Sequence, residues 1–332
     1  MTIKIDIFCH LLPPRYATAL RARAASGFHL EGPIAAYPAL SDLDTRFRIM
    51  DRYGDYRQVI SLSSPAVDSV AGPREAAELA RIANDELAEL VAKYPDRFSA
   101  AVACVPLGNL DAAMSETDRA IGQLGFKGIQ IYTPVAGRSP DSPELVPLYE
   151  KMIEHDLPIW LHPHREMSTP DFAGEETSKF AIFATFGWVY ETSVAMARLA
   201  YSGLFERLPD LKIITHHAGA MVPYLAKRIE MGWNTRFWPE ASRSTWEHTR
   251  HPIDYFRMFY NDTAIHGNAA GLMCAYDFFG SERLLFGTDS PFDFEQGELS
   301  IRDTLRSVQE MAISESEREG IFANNARRLL RL

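Results

Sequence analysis

Pro158-Ile159-Trp160-Leu161-His162-Pro163 is the stretch from which the fold reads most directly. A short unbroken apolar run is a strand buried on both faces, the proline at 163 stops it, and the imidazole of His162 is left at its C-terminal end. Three other runs end in the same way: Ile3-Lys4-Ile5-Asp6-Ile7-Phe8-Cys9-His10, Leu211-Lys212-Ile213-Ile214-Thr215-His216-His217 and Arg283-Leu284-Leu285-Phe286-Gly287-Thr288-Asp289. A closed parallel barrel gathers the C-terminal ends of its strands around one mouth, so ligands scattered over the whole chain converge there. The pattern suggests a mononuclear metal site.

Further strand-like segments cover 58–63, 98–105 and 128–132, and helical patterns cover 74–94, 109–124, 144–155 and 192–208. Strand and helix alternate, which makes a parallel sheet; the number of units that fit in 332 residues favours an α/β fold of the TIM-type (β/α)8 class, one domain spanning 1–332. No Gly-x-Gly-x-x-Gly turn follows a strand, so a dinucleotide fold has no support. Residues 11–42 and 163–187 interrupt the rhythm with prolines and glycines and read as long βα insertions over the mouth. The stretch 233–252, with Trp233, Phe237, Trp238 and Trp246, reads as a subunit contact, a pocket lid or plain packing onto the barrel.

A formal net charge of -10 argues against nucleic acid or an anionic membrane surface as a partner. Cys9, Cys104 and Cys274 are far apart and form no Cys-x-x-Cys pair, so neither a disulfide framework nor a thiolate zinc cage is indicated. The expected home is a reducing cytoplasm. No export signal is visible, and no apolar run approaches the roughly 18 residues of a membrane span.

At the candidate site, His162 either reaches an ion or caps its strand by hydrogen bonding. Asp289, between Gly287 and Pro291, is a poorly solvated carboxylate that needs a cation or donors beside it. Of His216 and His217, alternation along a strand lets one look into the lumen. His217 is favoured because it opens the small-residue turn His217-Ala218-Gly219-Ala220; His216 then braces the sheet or supports a ligand from behind. Asp6 and His10 frame the first strand, where Phe8 occupies the inward position beside His10 and cannot ligate. The inner ligands are therefore His10, His162 and Asp289, which with water suit one divalent ion, zinc first and manganese second. His266 follows another strand and is a candidate substrate contact or a structural residue; Lys127 is assigned to packing or hydrogen bonding, and Glu191 to a cap or loop brace.

Together the motifs resemble the amidohydrolase superfamily, in its aminocarboxymuconate-semialdehyde decarboxylase-like branch. The resemblance runs from Ile5-Asp6-Ile7-Phe8-Cys9-His10-Leu11-Leu12-Pro13 through Arg48-Ile49-Met50-Asp51, Gly125-Phe126-Lys127-Gly128-Ile129-Gln130 and Gly187-Trp188-Val189-Tyr190-Glu191-Thr192. It continues through Ser202-Gly203-Leu204-Phe205-Glu206-Arg207-Leu208-Pro209, Gly287-Thr288-Asp289-Ser290-Pro291 and Asn325-Ala326-Arg327-Arg328-Leu329-Leu330. It implies metal binding by His10, His162 and Asp289 and a catalytic role for His217 with Asp289. It also implies a substrate-carboxylate contact for Arg228, across a dimer in some members; a surface helix charge is the equal alternative. Phe8 is the departure, where the branch shows a histidine or glutamate ligand. The implied reaction is nonoxidative decarboxylation of a small aromatic or enoic acid, with Trp188, Phe292 or Trp238 as aromatic walls and a homodimer or homotetramer as the assembly. Hydrolysis of an amide, lactone or carbon–carbon bond uses the same ion, and a metal-free ligand-binding barrel is the reading that Phe8 supports.

Overall fold

The computed structural model describes residues 3–24, 27, 31–134, 137–235 and 248–332. Strands β1 (Lys4–Leu11), β2 (Tyr56–Leu62) and β3 (Phe98–Ala101) pair in chain order, all parallel. A second parallel set follows, again in chain order: β4 (Ala103–Cys104), β5 (Ile129–Thr133), β6 (Ile159–Pro163), β7 (Ile213–Thr215) and β8 (Tyr260–Asn261). β3 and β4 are one run interrupted at Val102, whose amide bonds the Ile60 carbonyl at 2.9 Å, and the Lys127 amide reaches Ala101 O at 3.0 Å to join the two sets. Residues 284–290 close the circle. The Leu285 amide donates to Asn261 O at 2.9 Å, and across the seam Ile7 donates to Phe286 O at 2.9 Å, Asp289 to Phe8 O at 3.0 Å and His10 to Ser290 O at 2.9 Å. The chain is a single α/β barrel of the expected TIM type, and its seam joins the first strand to the last.

Inward residues of this ring form a separate apolar cluster that includes Ile5, Ile7, Val59, Val102, Trp160, Ile214 and Leu285. Trp160 is its largest member, fully buried, with Nε1 donating to the Ile7 carbonyl at 2.9 Å. Its bulk explains Gly128, which has φ 151° and where a Cβ would stand 2.6 Å from the indole and 2.2 Å from Pro158 O. Outside the ring the helices bury one stripe each: Pro73–Lys93 turns Leu79, Ala83 and Leu87 inward at the helical repeat.

The structure alters some expected boundaries. The helix expected over 192–208 is two, Val189–Tyr201 and Leu204–Arg207, divided at Gly203 with φ 79°. The 11–42 insertion carries the helix Pro14–Arg23, whose Tyr16 and Leu20 pack into a cluster of their own with Leu62 and Leu79. Trp233 ends up stacked on Tyr201, ring centroids 5.3 Å apart; Phe237, Trp238 and Trp246 lie outside the described residues. Among the described residues no helix is long and apolar enough to cross a membrane, and the three cysteines are free.

Candidate metal centre

His10 and His162 come from the ends of β1 and β6, His216 and His217 from the turn after β7, and Asp289 from the closing segment. The side chains of His10, His162 and His216 are all buried, and their donor atoms lie within 4.8 Å of one another; His216, His217 and Asp289 form an overlapping group of the same size. Asp289 Oδ1 is 3.2 Å from His10 Nε2 and 3.4 Å from His216 Nε2.

Each of the three buried imidazoles is anchored on its outer nitrogen. His162 Nδ1 donates to the Pro163 carbonyl at 2.7 Å, and a carbonyl only accepts, so the proton is on Nδ1. His10 Nδ1 faces Ser61 Oγ at 3.2 Å, and His216 Nδ1 donates to Asp262 Oδ2. Asp262 is fixed in turn by the amides of Ala218 and Ala264, at 3.2 and 3.0 Å on Oδ1. Nitrogen lone pairs are thereby turned inward, and Nε2 of both His10 and His216 is buried without a hydrogen-bond partner. Inward, unpaired imidazole nitrogens around a carboxylate, each braced by an oxygen behind it, are the arrangement a dication requires. The residues present fit such an ion.

With protons as the only cations, the same groups perturb one another. Burial pushes the Asp289 carboxyl up, yet His216 and His10 outweigh it and hold it well below the usual carboxylate range. Burial, followed by the charges of His10 and His216, keeps His162 well below an ordinary histidine. Burial also works against charge on His216, but Asp262 and Asp289 override it and raise it to about 10; His217, beside it, falls to about 3 through burial and the charge on His216.

Backbone strain marks the rim. His217, Ala218 and Asp289 have φ of 60°, 56° and 62°, left-handed values that side-chain-bearing residues adopt only when the surroundings hold them there. Asp289 is held by its amide bond to Phe8 and by Asp6, which is buried and accepts from both the amide and the hydroxyl of Thr288. Asp6 thus serves the seam between first and last strands. Burial raises its pKa, against the bonds from Thr288 and Tyr56.

The expectation that only one of His216 and His217 turns inward is corrected. β7 stops at Thr215, so alternation no longer governs the two histidines; His216 is in the cluster, and the half-buried His217 flanks it, ring centroids 3.7 Å apart. Phe8 is fully buried, its ring stacked on that of His216 at 3.9 Å and 6°. Phe292 lies 5.4 Å from His10, centroid to centroid. The half-buried Trp188 donates to the Arg165 carbonyl at 3.3 Å, on the 163–187 insertion. His266 is exposed and near enough to His217 for their charges to oppose. Arg228 is exposed on the helix Val222–Thr235, and no bond ties it to the cluster among the described residues. Lys127 is remote in role, bonded to Arg331 O, and Glu191 pairs with Arg165 at 2.8 Å as a loop brace.

Three further residues had no clear sequence signal. Tyr132 lies 4.9 Å from His162 and also walls a cavity of about 390 Å³ with Val67, Asp68, His164, Arg165 and Glu191. Asp262 follows a strand too short to stand out. Arg46 is buried and bonds Gln58 Oε1 at 2.6 Å, Ala39 O at 3.0 Å and the His10 carbonyl. Arg46→Ala strands these acceptors, and a loss of about 3 kcal/mol is expected in urea unfolding; a loss below about 1 kcal/mol contradicts this role.

The sequence model described as "Amidohydrolase" matches residues 5–332. Gamma-resorcylate decarboxylase from a Rhizobium species is 34% identical over 296 residues, 87% of each chain. 2-Amino-3-carboxymuconate-6-semialdehyde decarboxylase of Dictyostelium discoideum is 30% identical over 88% of this chain and 77% of its own length. Among solved structures, the dihydroxybenzoic acid decarboxylase of a Polaromonas species, with bound manganese and the inhibitor 2-nitroresorcinol, superposes with a TM-score of 0.82 at 31% identity, covering 100% of this chain and 98% of that one.

Proposed function

This chain belongs to the amidohydrolase family, and from that premise we propose that it is a metal-dependent nonoxidative decarboxylase of a small aromatic or enoic carboxylic acid. The observation that carries the reading is the pair of inward, unpaired imidazole nitrogens of His10 and His216 at the Asp289 carboxylate, with the His162 donor grouped beside those of His10 and His216. His10, His162 and Asp289 would hold one divalent ion. The imidazole-rich donor set suits zinc, and the Polaromonas relative carries manganese.

A dication held by His10, His162 and Asp289 would supply positive charge against the substrate's anionic groups. Decarboxylation breaks the bond between the ring or vinyl carbon and the carboxyl carbon; the electron pair stays on the former, and a proton takes the place of CO2. We assign to Asp289 the delivery of that proton, which it takes up from solvent. To His217, whose Nδ1 is buried without a partner, we assign the uptake of a proton from a substrate hydroxyl. The rings of Phe292 and Trp188 suit a flat anion. Phe292→Ala should raise KM about tenfold with a smaller change in kcat, because it removes contact area common to bound substrate and transition state; a change confined to kcat counts against this placement.

The assembly proposed is a homodimer or homotetramer. Phe186, Tyr190 and Val194 are exposed along one helical stripe, and Tyr224 and Met231 along another on the helix that carries Arg228. In that assembly Arg228 of one subunit serves the neighbouring site, and His266 lines it. The free cysteines Cys9, Cys104 and Cys274 support a reducing cytoplasm.

The test is CO2 release from a panel of hydroxybenzoates, aminobenzoates and muconate-type acids, with zinc or manganese supplied. Turnover of at least one acid is expected. Hydrolysis of lactones or amides without any CO2 overturns the proposal.

A further inference from the structure

We infer that His216 is itself a metal ligand, supplying from the end of β7 the donor that β1 lacks at position 8. The inference rests on the metal site of the preceding reading and goes beyond its three ligands.

Phe8 and His216 share one space. Their rings lie 3.9 Å apart and within 6° of parallel, so the benzyl group backs the imidazole over its whole face. Phe8 has no electron pair to offer, and the Gly287 backbone packs close beside it, where a Cβ at 287 would stand 3.3 Å from Phe8 Cβ. His216 has a donor and has it correctly turned. Its Nδ1 is committed to Asp262, itself bound by two backbone amides, so the ring cannot flip without breaking that bond. Its Nε2 is left buried, unpartnered, and 3.4 Å from the Asp289 oxygen that His10 Nε2 approaches at 3.2 Å.

Those separations have a meaning for coordination. Bonds of about 2.0–2.2 Å from one ion, at angles of about 90–110°, place neighbouring ligand atoms about 3.0–3.5 Å apart. Asp289 Oδ1 already stands at that spacing from both His10 Nε2 and His216 Nε2, and the donors of His10, His162 and His216 lie within 4.8 Å of one another. The carboxylate behind His216 completes the carboxylate–histidine–metal pattern by fixing the tautomer and raising the basicity of the ligating nitrogen. The competing role is an internal imidazolium that pairs with Asp262 and Asp289 and never meets an ion.

Cobalt(II) discriminates, because it is paramagnetic and its visible spectrum reports ligand number. Stripped wild-type protein is titrated with Co2+, affinity is read by competition with a chromophoric chelator, and the exchangeable imidazole N–H resonances shifted by the ion are counted by proton NMR. Three shifted N–H resonances are expected, from His10, His162 and His216. His216→Gly should remove one, change the visible spectrum and weaken Co2+ binding at least about 100-fold. Phe8→His combined with His216→Gly should recover most of that loss by returning the donor to β1. Two shifted resonances in the wild type, or an unchanged spectrum and affinity in His216→Gly, overturn the inference. The wild-type count needs no variant to fold. If wild-type protein binds no Co2+ at all, the metal-site reading fails, and the assignment of His216 as ligand fails with it.

Discussion

Replacing Asp289 with asparagine will cut turnover of whichever acid the chain decarboxylates by about 1,000-fold or more, and bound metal will fall with it. The substitution keeps the shape of the side chain and tolerates the left-handed backbone at φ 62° at least as well as aspartate does. What it removes is charge at the one oxygen that faces both His10 and His216. On the proposed reading, that loss withdraws an anionic ligand and the proton carrier in the same stroke. Single-turnover CO2 release and metal content per chain, measured on the same sample, check the expectation. An Asp289→Asn protein that holds one equivalent of metal and retains a tenth of wild-type turnover would remove Asp289 from both roles.

Trp160→Ala will be the most destabilising single truncation of the lumen, by about 3–5 kcal/mol. The indole is the largest side chain of the lumen cluster, surrounded by smaller residues from around the ring, among them Ile7, Val59, Val102 and Ile214. Its removal leaves a cavity that a hydrogen-bonded ring cannot collapse, and it strands the Ile7 carbonyl, which adds to the cost. Urea unfolding in the presence of chelator isolates this from any stabilisation by bound metal. A loss smaller than about 1 kcal/mol would mean that the surrounding strands close over the gap.

Much of this site can be read from the chain before any coordinates. His10, His162 and Asp289 each end an apolar run, and a strand that stops at a proline or a glycine leaves its last polar residue at the rim. Period-two alternation then misleads at residues 216 and 217. It holds only while the backbone is extended, whereas β7 ends at Thr215 and His217 is left-handed, so both rings gather on one side. Asp262 follows only the short run Met258-Phe259-Tyr260, with Asn261 between, because β8 is only Tyr260–Asn261. Arg46 stands on the helix Leu43–Met50 among other charged residues, and nothing local distinguishes the arginine that turns inward. The break at Gly203 was legible as a glycine but not as a left-handed one.

The seam between β1 and residues 284–290 bears on how the molecule is made. His10 is synthesised near the start and Asp289 near the end, and the backbone hydrogen bonds that bring them together cross that seam. A ribosome-bound chain lacking its last fifty or so residues therefore has histidines but no carboxylate to complete the cage. In the proposed site the full ligand set is assembled only once the C-terminal segment has docked across the seam.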